Sequence, residues 1–358
     1  MSVTLADVAA RAGVSAATVS RVLNGNYPVA EATKTRVLRA VEELEYVVNG
    51  PASALAAASS DLVGVLVNDI ADPFFGIMAS AVQSELAPDT PGPGGKLAVV
   101  CNTVGSPERE LTYLTLLQRQ RAAAVVLTGG ALEDAGHTAA LATRLRRLAA
   151  SGARVVLCGR PPLPPSQEHD GTPPPLAITF DNRGGARELT AHLIGLGHRR
   201  LAYLAGPANR TTTRHRLEGH RQALAEAGLA GDAERLTVFG RYDRASGYEG
   251  TLRLLEREPG LTAIVAANDT VALGVCAALR ERGLRIPEDV SVTGFDDLPF
   301  AADAAPALTT MSLPLAEAGA LAARLALGRE TPSPTGTHTI RATLTRRAST
   351  APPPPGRS

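Results

Sequence analysis

The chain has 358 residues, with 36 Lys and Arg against 35 Asp and Glu, a formal charge of +1. That length exceeds one hydrophobic core and implies two to three domains, and the near-zero balance says little about partners, because a small charged region can be diluted by a large neutral body. Cys101, Cys158 and Cys276 are scattered, which excludes a disulfide framework and a cysteine metal site and fits a reducing compartment. No apolar run reaches the ~18 residues needed to cross a bilayer, and no basic-then-apolar leader opens the chain, so a cytoplasmic protein is expected.

The first segment reads as two short helices joined by a tight turn. Thr4 can cap the first, with Asp7 in the turn where a carboxylate suits the positive helix end. Leu5, Val8, Ala9 and Ala12 share one face, and Gly13 follows where a helix stop favours positive φ. Ser15 is a second N-cap, and Val19, Val22 and Leu23 give the next helix its buried side. Ala16, Ala17, Thr18, Ser20 and Arg21 then face outward near a helix N-terminus, as in a helix laid into the DNA major groove. On pattern alone an ordinary helical hairpin stays open. A loop from Asn24 to Val29 leads to a third amphipathic helix, Ala30 to Tyr46, with Val37, Leu38, Val41, Leu44 and Tyr46 apolar. A short Ala-rich piece around Leu55 precedes the main domain.

Taken in order, Thr4-Leu5-x-Asp7-Val8-Ala9, Gly13-Val14-Ser15, Thr18-Val19-Ser20-Arg21-Val22-Leu23-Asn24, Leu44-x-Tyr46 and Asn49-x-x-Ala52-x-Ala54-Leu55 closely resemble the start of lactose-repressor (LacI-type) bacterial transcription regulators. The resemblance implies DNA contact through Thr4, Ser15, Ala16, Ala17, Thr18, Ser20, Arg21 and Asn24. It also implies a minor-groove wedge at Leu55, with a flexible linker as the alternative for that segment.

From Asp61 the pattern alternates strand and helix. Leu62-Val63-Gly64-Val65-Leu66-Val67 is a strand buried on both faces, and a first βα series runs to Leu157. A second series runs from Leu176 to Phe295. Two such series predict two parallel-sheet α/β subdomains with a ligand cleft between them. Further motifs, among them Gly195-Leu196-Gly197-His198-Arg199, Arg216-Leu217-Glu218-Gly219, Ala267-Asn268-Asp269 and Val292-Thr293-Gly294-Phe295-Asp296-Asp297, resemble the effector domain of the same family. The fold class expected is α/β: a helix-turn-helix head on a periplasmic-binding-protein-like body that dimerises. Expected boundaries are a head over 1–46, a hinge over 47–60, a body over 61–347 and a disordered tail over 348–358. Within the body the first subdomain takes about 61–175 and 306–328, the second about 176–305 and 329–347. The Pro/Gly-rich stretches Asp89 to Lys96 and Pro161 to Pro175 read as solvent loops.

In open α/β sheets the pocket lies beyond the C-terminal strand ends. Those loops offer Phe74 and Phe75 after the first strand, then Asp181, Arg210, Thr212, Arg216, Tyr242, Asn268 and Asp296. Carboxylates, an amide and a guanidinium fork pair with polyol hydroxyls, and aromatic rings cover a sugar's C–H face. Only 3% of residues are aromatic, so three of them in candidate pocket loops carries weight. By resemblance, Phe74, Arg210, Arg216, Tyr242, Asn268 and Asp296 occupy effector-contact positions. His198 reads as a structural loop residue. Phosphate-loop, nucleophile-elbow and zinc-helix motifs are all missing from the sequence, so no catalytic residue, metal or cofactor is expected.

One departure bears on function. Residues 1–60 hold Arg11, Arg21, Lys34, Arg36 and Arg39 against Asp7, Glu31, Glu42, Glu43 and Glu45, a net of zero, and nothing basic lies between Val47 and Ser60. Family hinges usually carry an Arg two residues before the leucine, where this chain has Ser53. Non-specific attraction to phosphate is therefore expected to be weak. The reading is a ligand-responsive, sequence-specific repressor, a homodimer on a pseudo-palindromic operator with a small sugar-like effector. The alternative is a cytosolic solute sensor with a weakened head.

Overall fold

The computed structural model describes residues 3–24, 28–46, 60–87, 95–164 and 171–356. The hinge with Leu55, most of the 89–96 stretch and the middle of the 161–175 stretch lie outside the described residues.

The head is three helices, Leu5–Ala12, Ala16–Asn24 and Glu31–Glu43. Thr4 and Asp7 form a reciprocal capping box, the Thr4 amide donating to Asp7 Oδ2 at 2.8 Å and the Asp7 amide to Thr4 Oγ1 at 3.3 Å. Gly13 ends the first helix at φ 65°, a left-handed geometry that lets the chain reverse within two residues. The Thr18 amide donates to Ser15 Oγ at 3.2 Å, capping the second helix. Val8, Ala9, Ala12, Val19, Val37 and Ala40 close a small common core, and the small side chains let the helices approach closely.

The body is two six-stranded sheets. With β1 Leu62–Val67, β2 Leu97–Asn102, β3 Ala124–Thr128, β4 Arg154–Cys158, β5 Leu176–Phe180 and β11 Thr337–Ile340, the first sheet runs β11-β5-β4-β3-β1-β2, all parallel. With β6 Leu201–Ala205, β7 Thr237–Phe239, β8 Ala263–Ala266, β9 Ser291–Asp296, β10 Thr309–Ser312 and β12 Thr343–Thr345, the second runs β12-β10-β9-β8-β6-β7. Only the β12 edge of this sheet is antiparallel. Central strands such as β3 and β6 are buried along their whole length, because helices cover both faces.

The strand pairing moves the expected subdomain boundaries. β5 joins β4 through the register Val156↔Leu176, so the chain first crosses after residue 180, not 175. β10 pairs with β9, so the return crossing follows 312, not 306. The helix Leu315–Leu327 and β11 belong to the first lobe, and β12 to the second. The lobes are thus 61–180 with 315–340, and 182–312 with 343–351. β4 and β5, which flank the Pro-rich stretch, belong to the same lobe.

The expected disordered tail from 348 is also corrected. Ser349 is fully buried; its carbonyl accepts from the Val292 amide at 2.9 Å, and its hydroxyl donates to the Val292 carbonyl at 2.6 Å while accepting from the Thr309 amide at 2.8 Å. Ala351 bonds Ser291 through its amide and His198 Nε2 through its carbonyl. The segment satisfies backbone groups at the start of β9, ahead of the β10 pairing that begins at Thr293↔Thr309. Ser349→Ala leaves the Thr309 amide and Val292 carbonyl unpaired in the interior. It should lower unfolding free energy by about 1–3 kcal/mol, read by urea denaturation; a change within error would mean the tail is only laid against the sheet.

Candidate functional site

The two sheets point their C-terminal strand ends at one another across a cavity of about 450 Å³. The first lobe contributes the loop after β1 and the turns after β3 and β5, the second the turns after β6, β7, β8 and β9. Strand termini deliver loop side chains there because a parallel sheet ends all its strands on one edge.

Arg216, on the helix Thr211–Glu226, is 3% exposed and organises the second-lobe wall. Its Nη2 donates to Asp296 Oδ1 at 2.7 Å, its Nε to Asn182 Oδ1 at 2.8 Å and its Nη1 to the Ala267 carbonyl at 2.6 Å. The guanidinium carbon lies 3.7 Å from the centre of the Phe295 ring, a cation–π contact in a desolvated site. Asp296 sits at φ 106°, backbone strain that a non-glycine residue holds only when its surroundings over-determine it. Burial raises the Asp296 carboxyl to about 6, Arg216 pulls against that rise, and Asp72 adds to it. Asn268 caps the helix Asp269–Glu281, its Oδ1 accepting from the Val271 amide at 2.9 Å. That commits its oxygen and leaves its amide NH₂ group for the cavity it lines.

The aromatic side is built differently. Phe74 packs edge-on to Phe75 at 5.0 Å and to Phe180 at 6.4 Å between centroids. Gly129, at φ 78°, leaves room for Phe75: a Cβ there would stand 2.8 Å from the ring. Tyr242 comes from the second lobe, its hydroxyl hydrogen-bonded to Thr213 Oγ1 at 2.7 Å. Arg210 reaches across the cleft, Nη2 donating to the Gly105 carbonyl at 2.9 Å and Nη1 to the Gly130 carbonyl at 3.3 Å. Beside it, the Thr211 amide donates to the Ala131 carbonyl and the Glu133 amide to the Asn209 carbonyl, and Arg214 pairs with Glu133 at 2.6 Å.

Phe74, Phe75, Arg210, Thr212, Arg216, Tyr242, Asn268 and Asp296 therefore line one cavity. Asp181 does not. Its carboxylate is captured by the helix that follows, accepting from the Gly184 amide at 2.8 Å, because a carboxylate at an N-cap is held by the helix's unpaired amides. Asn182, the next residue, takes its place in the wall. Sequence reasoning also passed over Asn68 and Phe180, which line the cavity beside Asp72, whose Oδ1 caps the Pro73–Leu86 helix by accepting from the Phe74 amide at 3.0 Å. It missed the layer beneath as well. Arg160, 3% exposed, donates to Glu110 Oε1 at 3.0 Å and to the Gly129 and Thr128 carbonyls at 3.1 Å each, and His137 Nε2 meets Glu110 Oε2 at 2.9 Å. Burial pushes the Glu110 carboxyl up, and Arg160 and His137 outweigh it, holding the group near 2. His198 is structural, buried between Thr262 and Ala351.

In the head, Ser15, Ala16, Ala17 and Arg21 are exposed and Thr18 and Ser20 half-buried on the second helix, with Asn24 at its end. Thr4 is exposed at the start of the first helix. Ser15, Thr18, Arg21, Thr33 and Arg36 border one polar groove.

These features define a helix-turn-helix head joined to a two-lobed binding body. Residues 4–49 match the model for bacterial regulatory proteins of the lacI family, and residues 190–350 that for the periplasmic binding protein-like domain. The chain is 35% identical to the HTH-type transcriptional regulator GalR of Escherichia coli K12 over 352 residues, covering 98% of this chain and 96% of that protein. It is 34% identical to the regulator CelR of Thermobifida fusca, covering 92% of each. Among solved structures, the lac repressor dimer bound to operator and an anti-inducer superposes with a TM-score of 0.78 at 28% identity, covering 98% of this chain and all of that one. A CelR–cellobiose complex superposes at 0.67 with 32% identity, covering 97% and 99%. The chain belongs to the lacI family of bacterial regulatory proteins, and these relatives are transcription regulators rather than enzymes.

One buried acid gives the fold a pH dependence. Asp269, fully buried, accepts from Thr310 Oγ1 at 2.6 Å and from the Leu298 amide at 2.7 Å. Burial first, then Asp296, raises its carboxyl to about 8. The folded protein thus holds a proton that the unfolded chain releases near pH 4, so stability from this group is full below that point and declines as pH rises to about 8. Between pH 6 and 8, Asp269→Asn should flatten a decline of up to about 1 kcal/mol per pH unit. Denaturation midpoints at four pH values check this; parallel curves for the two proteins would refute it.

Proposed function

We propose that this protein is a cytoplasmic, homodimeric transcriptional repressor whose hold on a pseudo-palindromic operator is set by a small sugar-like effector in the cavity. One observation carries the effector reading: a neutralised, hydrogen-bond-rich wall of Arg216, Asp296, Asn182 and Asn268 shares one enclosed space with the Phe74, Phe75 and Phe180 rings. Polyols need both surfaces, hydroxyl partners on one side and apolar cover on the other. The cellobiose bound by one relative and the operator bound by another support the same division of labour. No helix among the described residues is long and apolar enough to cross a membrane.

Calorimetry with cellobiose, ribose and a panel of hexoses tests the pocket. The sugar that binds should lose roughly ten- to hundredfold affinity in Asp296→Asn, the range for one hydrogen bond to a charged group. Operator affinity without sugar should hold, since head and pocket are separate units coupled through the hinge. Unchanged sugar affinity would place the effector elsewhere.

The hinge reading assigns Leu55 as a wedge pushed between base pairs from the minor groove once two hinges meet on DNA. Leu55→Ala should then weaken operator binding at least about tenfold, reduce operator bending in circular-permutation gel shifts and barely change binding to random duplex. Equal loss on both DNAs, or on neither, would make the segment a tether.

A further inference from the structure

The three chain crossings leave β5, β10 and β11, and these strands with β12 are the first two in each sheet order, β11-β5-β4-β3-β1-β2 and β12-β10-β9-β8-β6-β7. The covalent connections between the lobes therefore gather at one edge of the two sheets. Toward the other edge, where β3, β2 and β6 end, the lobes meet without a chain crossing. Leu132 of the first lobe and Arg210 of the second form a single antiparallel bridge rung. The Thr211 amide donates to the Ala131 carbonyl at 3.0 Å, the Ala131 amide to Thr211 Oγ1 at 3.0 Å, and the Glu133 amide to the Asn209 carbonyl at 2.8 Å. Arg210 adds its two bonds to the Gly105 and Gly130 carbonyls, and Arg214 Nε meets Glu133 Oε1 at 2.6 Å. Gly130 permits the approach, because a Cβ there would overlap Thr212 Oγ1.

We propose that this cluster is a clasp, centred on Arg210, that shuts the lobes on the protein's own contacts and gates the cavity, so that a ligand enters only through a minor open state. A body held by its chain crossings along one edge of both sheets opens widest toward the other, and the clasp lies on that side. Arg210 and Leu132 also line the cavity, so the closed clasp is part of the cavity wall. Arg210 suits a gate better than a permanent lock. Its half-buried guanidinium meets neutral carbonyls and, among the described residues, no carboxylate within ion-pair distance, so opening at this residue separates no ion pair. Water can replace the bonds that are lost, which keeps the net cost of opening modest. Arg214 and Glu133 stand outside the cavity lining and are partly exposed, where an ion pair is weak and screened. A ligand that touches both lobes then meets a body already closed, and little of its binding energy goes into bringing the lobes together. This holds for any ligand of the cavity and for either reading of the head.

Hydrogen exchange read by mass spectrometry on the full-length protein, with no sugar added, tests the clasp directly, because the amides of Ala131, Glu133 and Thr211 all donate to the opposite lobe. They should exchange about ten- to a thousandfold more slowly than unstructured amides, which corresponds to an open population of about 0.1–10%. Arg210→Ala should speed the three amides by roughly ten- to hundredfold after correction for sequence, the range for one hydrogen bond from a charged group. Glu133→Lys leaves the cavity lining intact and sets two cations face to face, and should speed them at least about threefold. Amides within β3 and β6 should keep wild-type protection in both variants, which separates loss of the clasp from loss of the fold. Unprotected clasp amides in the wild-type protein, or clasp amides as slow as wild type in either variant, would overturn the proposal. If a variant loses protection in β3 and β6 as well, the wild-type amides decide.

Discussion

The contact on which the binding body depends is the buried pair of Arg216 and Asp296. Removing two charges from water costs more than their attraction returns unless the remaining donors and acceptors are filled. Here the guanidinium spends its edges on a carboxylate, an amide oxygen and a backbone carbonyl, and rests its face on Phe295. Those partners come from the end of β9, the start of the helix Asn182–Gly195 and the turn after β8. One side chain thereby ties together three loops that the sheet leaves splayed at its C-terminal edge. The strained backbone at Asp296 is held by this tie, and the carboxylate stays fixed at the cavity surface.

The same region is where the chain passes between lobes. Of the three crossings, after β5, β10 and β11, the first borders the cavity at Phe180 and Asn182, and one apolar cluster continues from the first lobe into the second. Arg210 and the 131–133 and 209–214 segments already span the gap with hydrogen bonds to main-chain groups. Beneath them Arg160 fixes the carbonyls of Thr128 and Gly129 from the first-lobe side. A molecule in the cavity touches groups from both lobes, and only such differential contact can bias one lobe arrangement over another.

Much of this is legible in the sequence. Head and cavity were readable because both depend on local chemistry: caps, a left-handed glycine and polar residues at strand ends. What was not legible depends on distant pairing. β5 looks like the start of a second unit after a Pro-rich gap, yet it pairs with β4. β10 to β12 are three- or four-residue strands whose identity exists only in their partners. Asp181 and Asp296 are both carboxylates at strand ends, which residue type and spacing alone do not separate; only the family resemblance singles out Asp296. One is turned into its own helix by the Gly184 amide, the other held outward by an arginine 80 residues away. Ser349 sits in a polar, Pro-flanked stretch that reads as a frayed end, and its burial comes wholly from backbone groups of β9 and β10.

Head and body also treat charge in opposite ways, and this separates their tasks. In the body, ion pairs such as Arg216 with Asp296 and Arg160 with Glu110 are dry, where each contact is strong and geometry is fixed. In the head, Arg11 and Arg39 meet Glu43 at the surface, where water and salt reduce the attraction and the main effect is to cancel field. The body therefore holds its cavity groups in a rigid polar lattice, while the head presents a surface whose charges largely cancel.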